Sequence, residues 1–110
     1  MTDEKIFQNT ALQDIRFAHQ GRDLVLFFDS ADSGRYYGEI HCEGLLEFAF
    51  QSLGFIHYPD DDESLFPLFV RDVLVQPTHQ GYTLRIEAGL VIQVSCLNIR
   101  LEQDLVFDGV

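Results

Sequence analysis

Residues 36–51 read "YYGEIHCEGLLEFAFQ", and two readings of them lead to different folds. As a strand, Tyr36, Ile40, Cys42, Leu46, Phe48 and Phe50 fall on even positions and share one face. Glu39, His41, Glu43, Glu47 and Gln51 fall on odd positions and share the other, because side chains alternate across a strand. As a helix from Gly44 to Leu53, the residues Glu43, Glu47 and Gln51 step by four, Leu46, Phe50 and Leu53 lie behind them, and Gly54 stands where a C-cap belongs. The alternation runs unbroken from Tyr36, and Phe48 and Phe50 favour a pleated surface. Strand is therefore the expectation, as one long strand or as two broken near Gly44.

The flanking segments carry the same period. On the N-terminal side, Ile15 and Phe17 share a face opposite Asp14 and Arg16, and a turn is expected at Gly21. The run Leu24 to Phe28 is apolar on both faces, which points to an interior strand covered on both sides. On the C-terminal side, "GYTLRIEAGLVIQVSCLNIRLE" spans residues 81–102 and reads as a hairpin. A three-residue loop, Glu87-Ala88-Gly89, pairs Ile86 with Leu90, Leu84 with Ile92 and Tyr82 with Val94, and gives Gly89 the left-handed position such loops favour. The apolar parity then slips to Leu97, Ile99 and Leu101, which calls for a bulge near Cys96 to Asn98. Between these regions, Ser64 could cap a short helix over Ser64 to Arg71 with Pro67 in its first turn, before strand resumes from Val70. The fold class expected is mainly β: antiparallel sheet, as a β-sandwich or a curled meander of about six to eight strands, with at most one short helix.

The chain has 110 residues, 46% of them hydrophobic and 23% charged, which suits one globular domain over residues 1–110. Eighteen acidic residues oppose seven basic ones, for a formal net charge of -11. Such a surface repels phosphate and anionic lipid, so neither nucleic acid nor a membrane is an expected partner. It attracts basic protein surfaces and cations, although acidity also serves solubility alone. The N-terminus has no apolar core of the signal-peptide kind, and two cysteines without a CxxC pair suggest a reduced, cytoplasmic setting.

The strongest acidic feature is "HYPDDDES", residues 57–64. Counted from Asp60, an EF-hand loop would need Gly where Leu65 stands and Glu where Arg71 stands; counted from Asp29, Ala31 and Ile40 occupy ligand positions. Neither frame is a calcium loop. Asp60, Asp61, Asp62 and Glu63 are read instead as a docking epitope for a basic partner, against the plainer reading of a solvated loop.

The four histidines form no HxH, HxxxH or HExxH pattern, and His41 and Cys42 point to opposite strand faces. No metal centre and no cofactor is expected. Cys42 and Cys96 fall on apolar faces and read as buried, inert thiols. No nucleophile elbow, P-loop or dinucleotide fingerprint is present. The expectation is thus a non-catalytic, acidic, protein-binding domain. One concrete form is an inhibitor or immunity-type protein covering the cationic groove of a nuclease toxin. A homodimer through an edge strand is a further way to associate. The first alternative is a small-ligand or carbohydrate-binding β-sandwich using Tyr36, Tyr37, Tyr58 or Tyr82 as stacking platforms. The second is a hydrolase built on Glu39, Glu43 and a histidine.

Overall fold

A computed structural model describes Phe7 and residues 9–52 and 67–103 of the chain. It is one antiparallel, curled, seven-stranded sheet: β1 (Thr10–Ala18), β2 (Asp23–Ser30), β3 (Tyr36–Ser52), β4 (Leu68–Phe69), β5 (Asp72–Pro77), β6 (Tyr82–Glu87) and β7 (Leu90–Gln103). The spatial order is β4-β1-β2-β3-β7-β6-β5. There is no helix among the described residues, hence none long and apolar enough to cross a membrane.

The stretch with two readings is strand. Its thirteen-rung ladder with β7 runs from Gly38↔Gln103 to Ser52↔Leu90, and Gly44, where the alternative helix would begin, sits at φ +70°, outside the right-handed helical region. The helix considered over Ser64 to Arg71 is also replaced where it can be seen, since Leu68 and Phe69 pair with Leu12 and Ala11. Residues 64–66 lie outside the described residues.

Edge strands β4 and β5 are separated only by Val70 and Arg71. The Val70 N–H donates to the Thr10 carbonyl on β1, and the Arg71 N–H donates to the Glu87 carbonyl on β6. Two successive amides thus tie opposite margins of the sheet together. The sheet must curl into a half-barrel for this to happen, and the curl buries one face around a single core. Leu12, Leu24, Leu26, Phe28 and Ile40 fill it from one side; Val73, Leu84, Ile86, Ile92 and Val94 fill it from the other.

The architecture is a single curled sheet, the second of the two forms expected from sequence. Three finer expectations need correction. First, β2 is an interior strand, but only Leu24, Leu26 and Phe28 are fully buried; Val25 and Phe27 face outward and are half-covered, with the Arg16 guanidinium 5.3 Å above the Phe27 ring. The β6–β7 hairpin turns one residue later than expected. Its first ladder pair is Glu87↔Val91, followed by Ile86↔Ile92 and Leu84↔Val94, so the loop is Ala88-Gly89-Leu90. Each pair moves by two residues, which preserves the faces, and Gly89 does adopt the left-handed conformation at φ +82°. Lastly, the bulge belongs to β3. The register skips from Leu45↔Cys96 to Glu47↔Ser95, leaving Leu46 unmatched. The change from even residues (Val94, Cys96) to the odd Ile99 on β7 falls instead at the Gly44 kink, where β3 passes from Cys42 to Leu45 and β7 from Ile99 to Cys96 in constant register.

Candidate functional site

Among the described residues, two surfaces built on the β3–β7 ladder bring together chemistry-bearing or exposed apolar groups. The first is on the outer face. Alternation puts Glu39, His41 and Glu43 of β3 on that side, and the antiparallel register sets them against Glu102, Arg100 and Asn98 of β7. Tyr36 Oη donates to Glu39 Oε2 at 2.8 Å, and His41 Nε2 lies 2.7 Å from Glu39 Oε1 and 3.7 Å from Glu102 Oε1. Arg100 Nε donates to Glu43 Oε2 at 3.2 Å, its Nη1 is bonded to Glu102, and its Nη2 lies 3.3 Å from His41 Nδ1. Asn98 Nδ2 donates to Glu43 Oε1 at 3.0 Å. The pattern assigns the His41 tautomer. Arg100 can only donate, so Nδ1 accepts and Nε2–H donates to Glu39.

The electrostatics follow from these bonds. Donation from Asn98 and then Arg100 holds the Glu43 carboxyl below its ordinary range. Hydrogen bonds to Glu43 and then Glu102 raise Arg100 further into its charged form. An acid catalyst needs the opposite shift, a carboxyl held protonated near neutrality. Glu43, one of the two carboxylates considered for hydrolysis, is shifted the other way, toward its anionic form.

The second surface is apolar. The ladder between β2 and β3 ends at Asp23↔Glu43, and the last backbone bond on that side runs from Leu45 N–H to the Arg22 carbonyl. Past it, the remainder of β3 overhangs β2 while staying paired with β7. Phe48 and Phe50 are on this overhang and meet edge to face with ring centroids 5.2 Å apart; Phe48 meets Phe17 of β1 likewise at 5.9 Å. Aromatic pairs prefer this geometry. Phe17 is nevertheless 56% exposed and Phe50 48%. Phe48 and Phe50 lie across from the fully buried Val94 and Ile92, so the rings continue the core-facing side where the sheet runs out of cover.

The junction of these regions is held by Asp23. Its Oδ1 accepts from the Gly44 N–H at 3.1 Å and its Oδ2 lies 2.6 Å from His19 Nδ1. These contacts, the Gly44 amide first, lower its pKa.

The residues anticipated from sequence are distributed unevenly. Asp60, Asp61, Asp62, Glu63 and Tyr58 lie outside the described residues. Tyr36 is engaged with Glu39, whereas Tyr37 and Tyr82 are half-buried and pack against the core, so these three do not share one platform. Cys42 and Cys96 are both buried and not bridged to each other, and the neighbouring Cys96 thiol together with burial pushes Cys42 well above the ordinary thiol range. Glu102, Arg100 and Asn98 were not singled out. Their alternation in "NIRLE" was visible, but nothing local indicated that they would face Glu39, His41 and Glu43 across the ladder.

Comparison with curated proteins yields no match. Among solved structures, the chain is similar to one reported as the crystal structure of an uncharacterized protein from Neisseria gonorrhoeae. The two share 32% sequence identity with a TM-score of 0.79, over 89% of this chain and 94% of that one. Residues 5–103 match a family model whose description specifies no activity, and the chain belongs to that family.

Proposed function

We propose that this domain is a non-catalytic binding module for a basic protein partner, with the overhanging part of β3 as its contact surface. The observation that carries the proposal is the row Phe17–Phe48–Phe50, stacked edge to face with Phe17 and Phe50 open to solvent, where β3 lacks a β2 partner. Exposed apolar rings of this kind mark protein contacts, and a strand margin offers backbone groups for an added strand. The partner's charge follows from the formal net charge of -11, since opposite charge speeds encounter and fixes orientation. An inhibitor covering a cationic groove is the narrower form of this reading. The hydrolase alternative is disfavoured by the anionic Glu43, and the carbohydrate alternative by the separation of the tyrosines.

The test is affinity capture from the source cells, then binding of the purified captured protein to the wild type and to a Phe17→Ser/Phe50→Ser double variant. Support is a basic partner whose affinity falls at least about tenfold in the double variant and weakens with salt. A partner bound equally well by both proteins overturns the surface assignment. Sedimentation across a wide concentration range examines a homodimer through the same strand. Association abolished by the double substitution would make the occupant a second copy and overturn the basic-partner reading.

A further inference from the structure

We propose that Glu39, His41 and Glu102 form a binding site for a divalent transition cation of the zinc class. The site is on the outer face of the β3–β7 ladder, and the inference does not depend on the binding-module reading. One ligand atom from each of the three residues, the imidazole nitrogen of His41 and one oxygen of each carboxylate, lies within 4.8 Å of the other two. Bonds of 2.0 to 2.2 Å in a tetrahedral shell place donors roughly 3.4 Å apart. The measured His41–Glu102 and His41–Glu39 separations, 3.7 and 2.7 Å, fall on either side of that figure. Small side-chain rotations therefore suffice, with no backbone change.

The donor chemistry narrows the cation. One imidazole nitrogen with two carboxylates suits zinc and its first-row neighbours, whereas calcium and magnesium take oxygen shells. The surroundings resemble a supporting shell: Tyr36 Oη donates to Glu39 Oε2, which directs the other oxygen toward His41. Glu39 and His41 are half-buried, so two of the three ligands are held by packing.

Arg100 is the resident cation and the competitor. In the metal-free arrangement it bonds Glu102 and donates to His41 Nδ1, while His41 Nε2–H donates to Glu39. Metal at Nε2 displaces that proton, which moves to Nδ1 as the imidazole changes tautomer. Two donors then face each other at Nδ1 and Nη2, and Arg100 must swing away. Its bond to Glu43 can persist during this movement. Removing the guanidinium should consequently strengthen metal binding, which a purely structural ion-pair network does not anticipate.

Titration calorimetry of the chelator-treated full chain with zinc chloride tests the proposal. One saturable site is expected in the wild type, with no comparable heat from magnesium chloride. His41→Gln and Glu102→Gln should each weaken it at least about tenfold, Arg100→Gln should tighten it, and His79→Gln should leave it unchanged. Glu102 is exposed, so its variant remains folded even where the His41 variant does not. Absence of a saturable site, or binding that survives Glu102→Gln unchanged, overturns the assignment. In the second case the acidic run Asp60–Glu63 becomes the place to look.

Discussion

Phe50 and Phe48 of β3 stand directly across from Ile92 and Val94 of β7. The two segments show the same alternation in sequence and occupy the same face of one sheet. Ile92 and Val94 are nonetheless fully buried, Phe48 is half-buried and Phe50 is open to solvent. The difference lies in what flanks each strand. Here β7 has β3 on one side and β6 on the other, and its inner face is enclosed in the core of the curled sheet. By contrast, β3 loses its β2 neighbour after Glu43, so its outer residues have cover on one side only. Hydrophobic alternation specifies which face turns inward; the length of the neighbouring strand determines whether anything covers that face.

The most direct way to break this comparison is truncation on both sides of one rung. Ile92→Ala should cost about 2 to 5 kcal/mol, the range for emptying a packed aliphatic site. Urea denaturation reads it, and a loss below about 1 kcal/mol would mean that the β7 side is no better packed than the overhang.

The cover over β7 depends on the register of the β6–β7 hairpin, and that register depends on Gly89 at φ +82°. Gly89→Val should lower stability by about 1 to 3 kcal/mol, because a β-branched residue is strained there. No atom lies within 4 Å of a Cβ at this position, so the effect isolates backbone strain from crowding. An unchanged urea midpoint would remove the loop assignment.

A smaller effect is expected where the two regions diverge. Asp23 ties the β1–β2 turn to the Gly44 amide at the start of the overhang, and its folded pKa is lowered from the model-compound value of 3.8. A lowered folded pKa contributes stability above the unfolded value, and that contribution disappears as pH falls through the folded one. Stability should therefore decline from just above pH 3.8 downward, and Asp23→Asn should flatten that part of the profile while lowering the midpoint at neutral pH. Thermal melts across the acid range measure it; identical profiles for variant and wild type would show that the Gly44 tie carries no stability.

The smallest effect is expected on the overhang. Phe50→Ser should change folding stability by no more than about 0.5 kcal/mol, as for other exposed positions. A cost approaching that of Ile92→Ala would mean that Phe50 is part of the core and not a contact surface.

Much of the fold was legible in particular residues. The parity of Ile40, Cys42, Phe48 and Phe50 identified β3 despite its helical alternative, but Tyr36 and Leu46, expected on the same face, are exposed, and Tyr37 and Leu45 pack on the core in their place where the register shifts. Gly89 marked its turn because few other residues tolerate that backbone. The loop register escaped by one residue because both registers keep the same side chains on the same faces. The parity slip after Cys96 was visible, but its cause was not, because β3 and β7 change parity together at the Gly44 kink and the extra residue, Leu46, lies one rung away.

The outer-face site was half legible. Glu39, His41 and Glu43 share a face by alternation alone, so this part follows from sequence. Their partners Asn98, Arg100 and Glu102 lie more than fifty residues away in the chain, and only strand pairing brings the two sets together. For this protein, local periodicity and turn chemistry determined the strands, their inward faces and the acidity of the surface. Tertiary structure alone decided that β4 and β5 join the two margins of one sheet, that β3 outruns β2, and that His41 meets a carboxylate from β7. Each of these depends on the lengths and curvature of neighbouring strands, which are properties of the assembled sheet and not of any single segment.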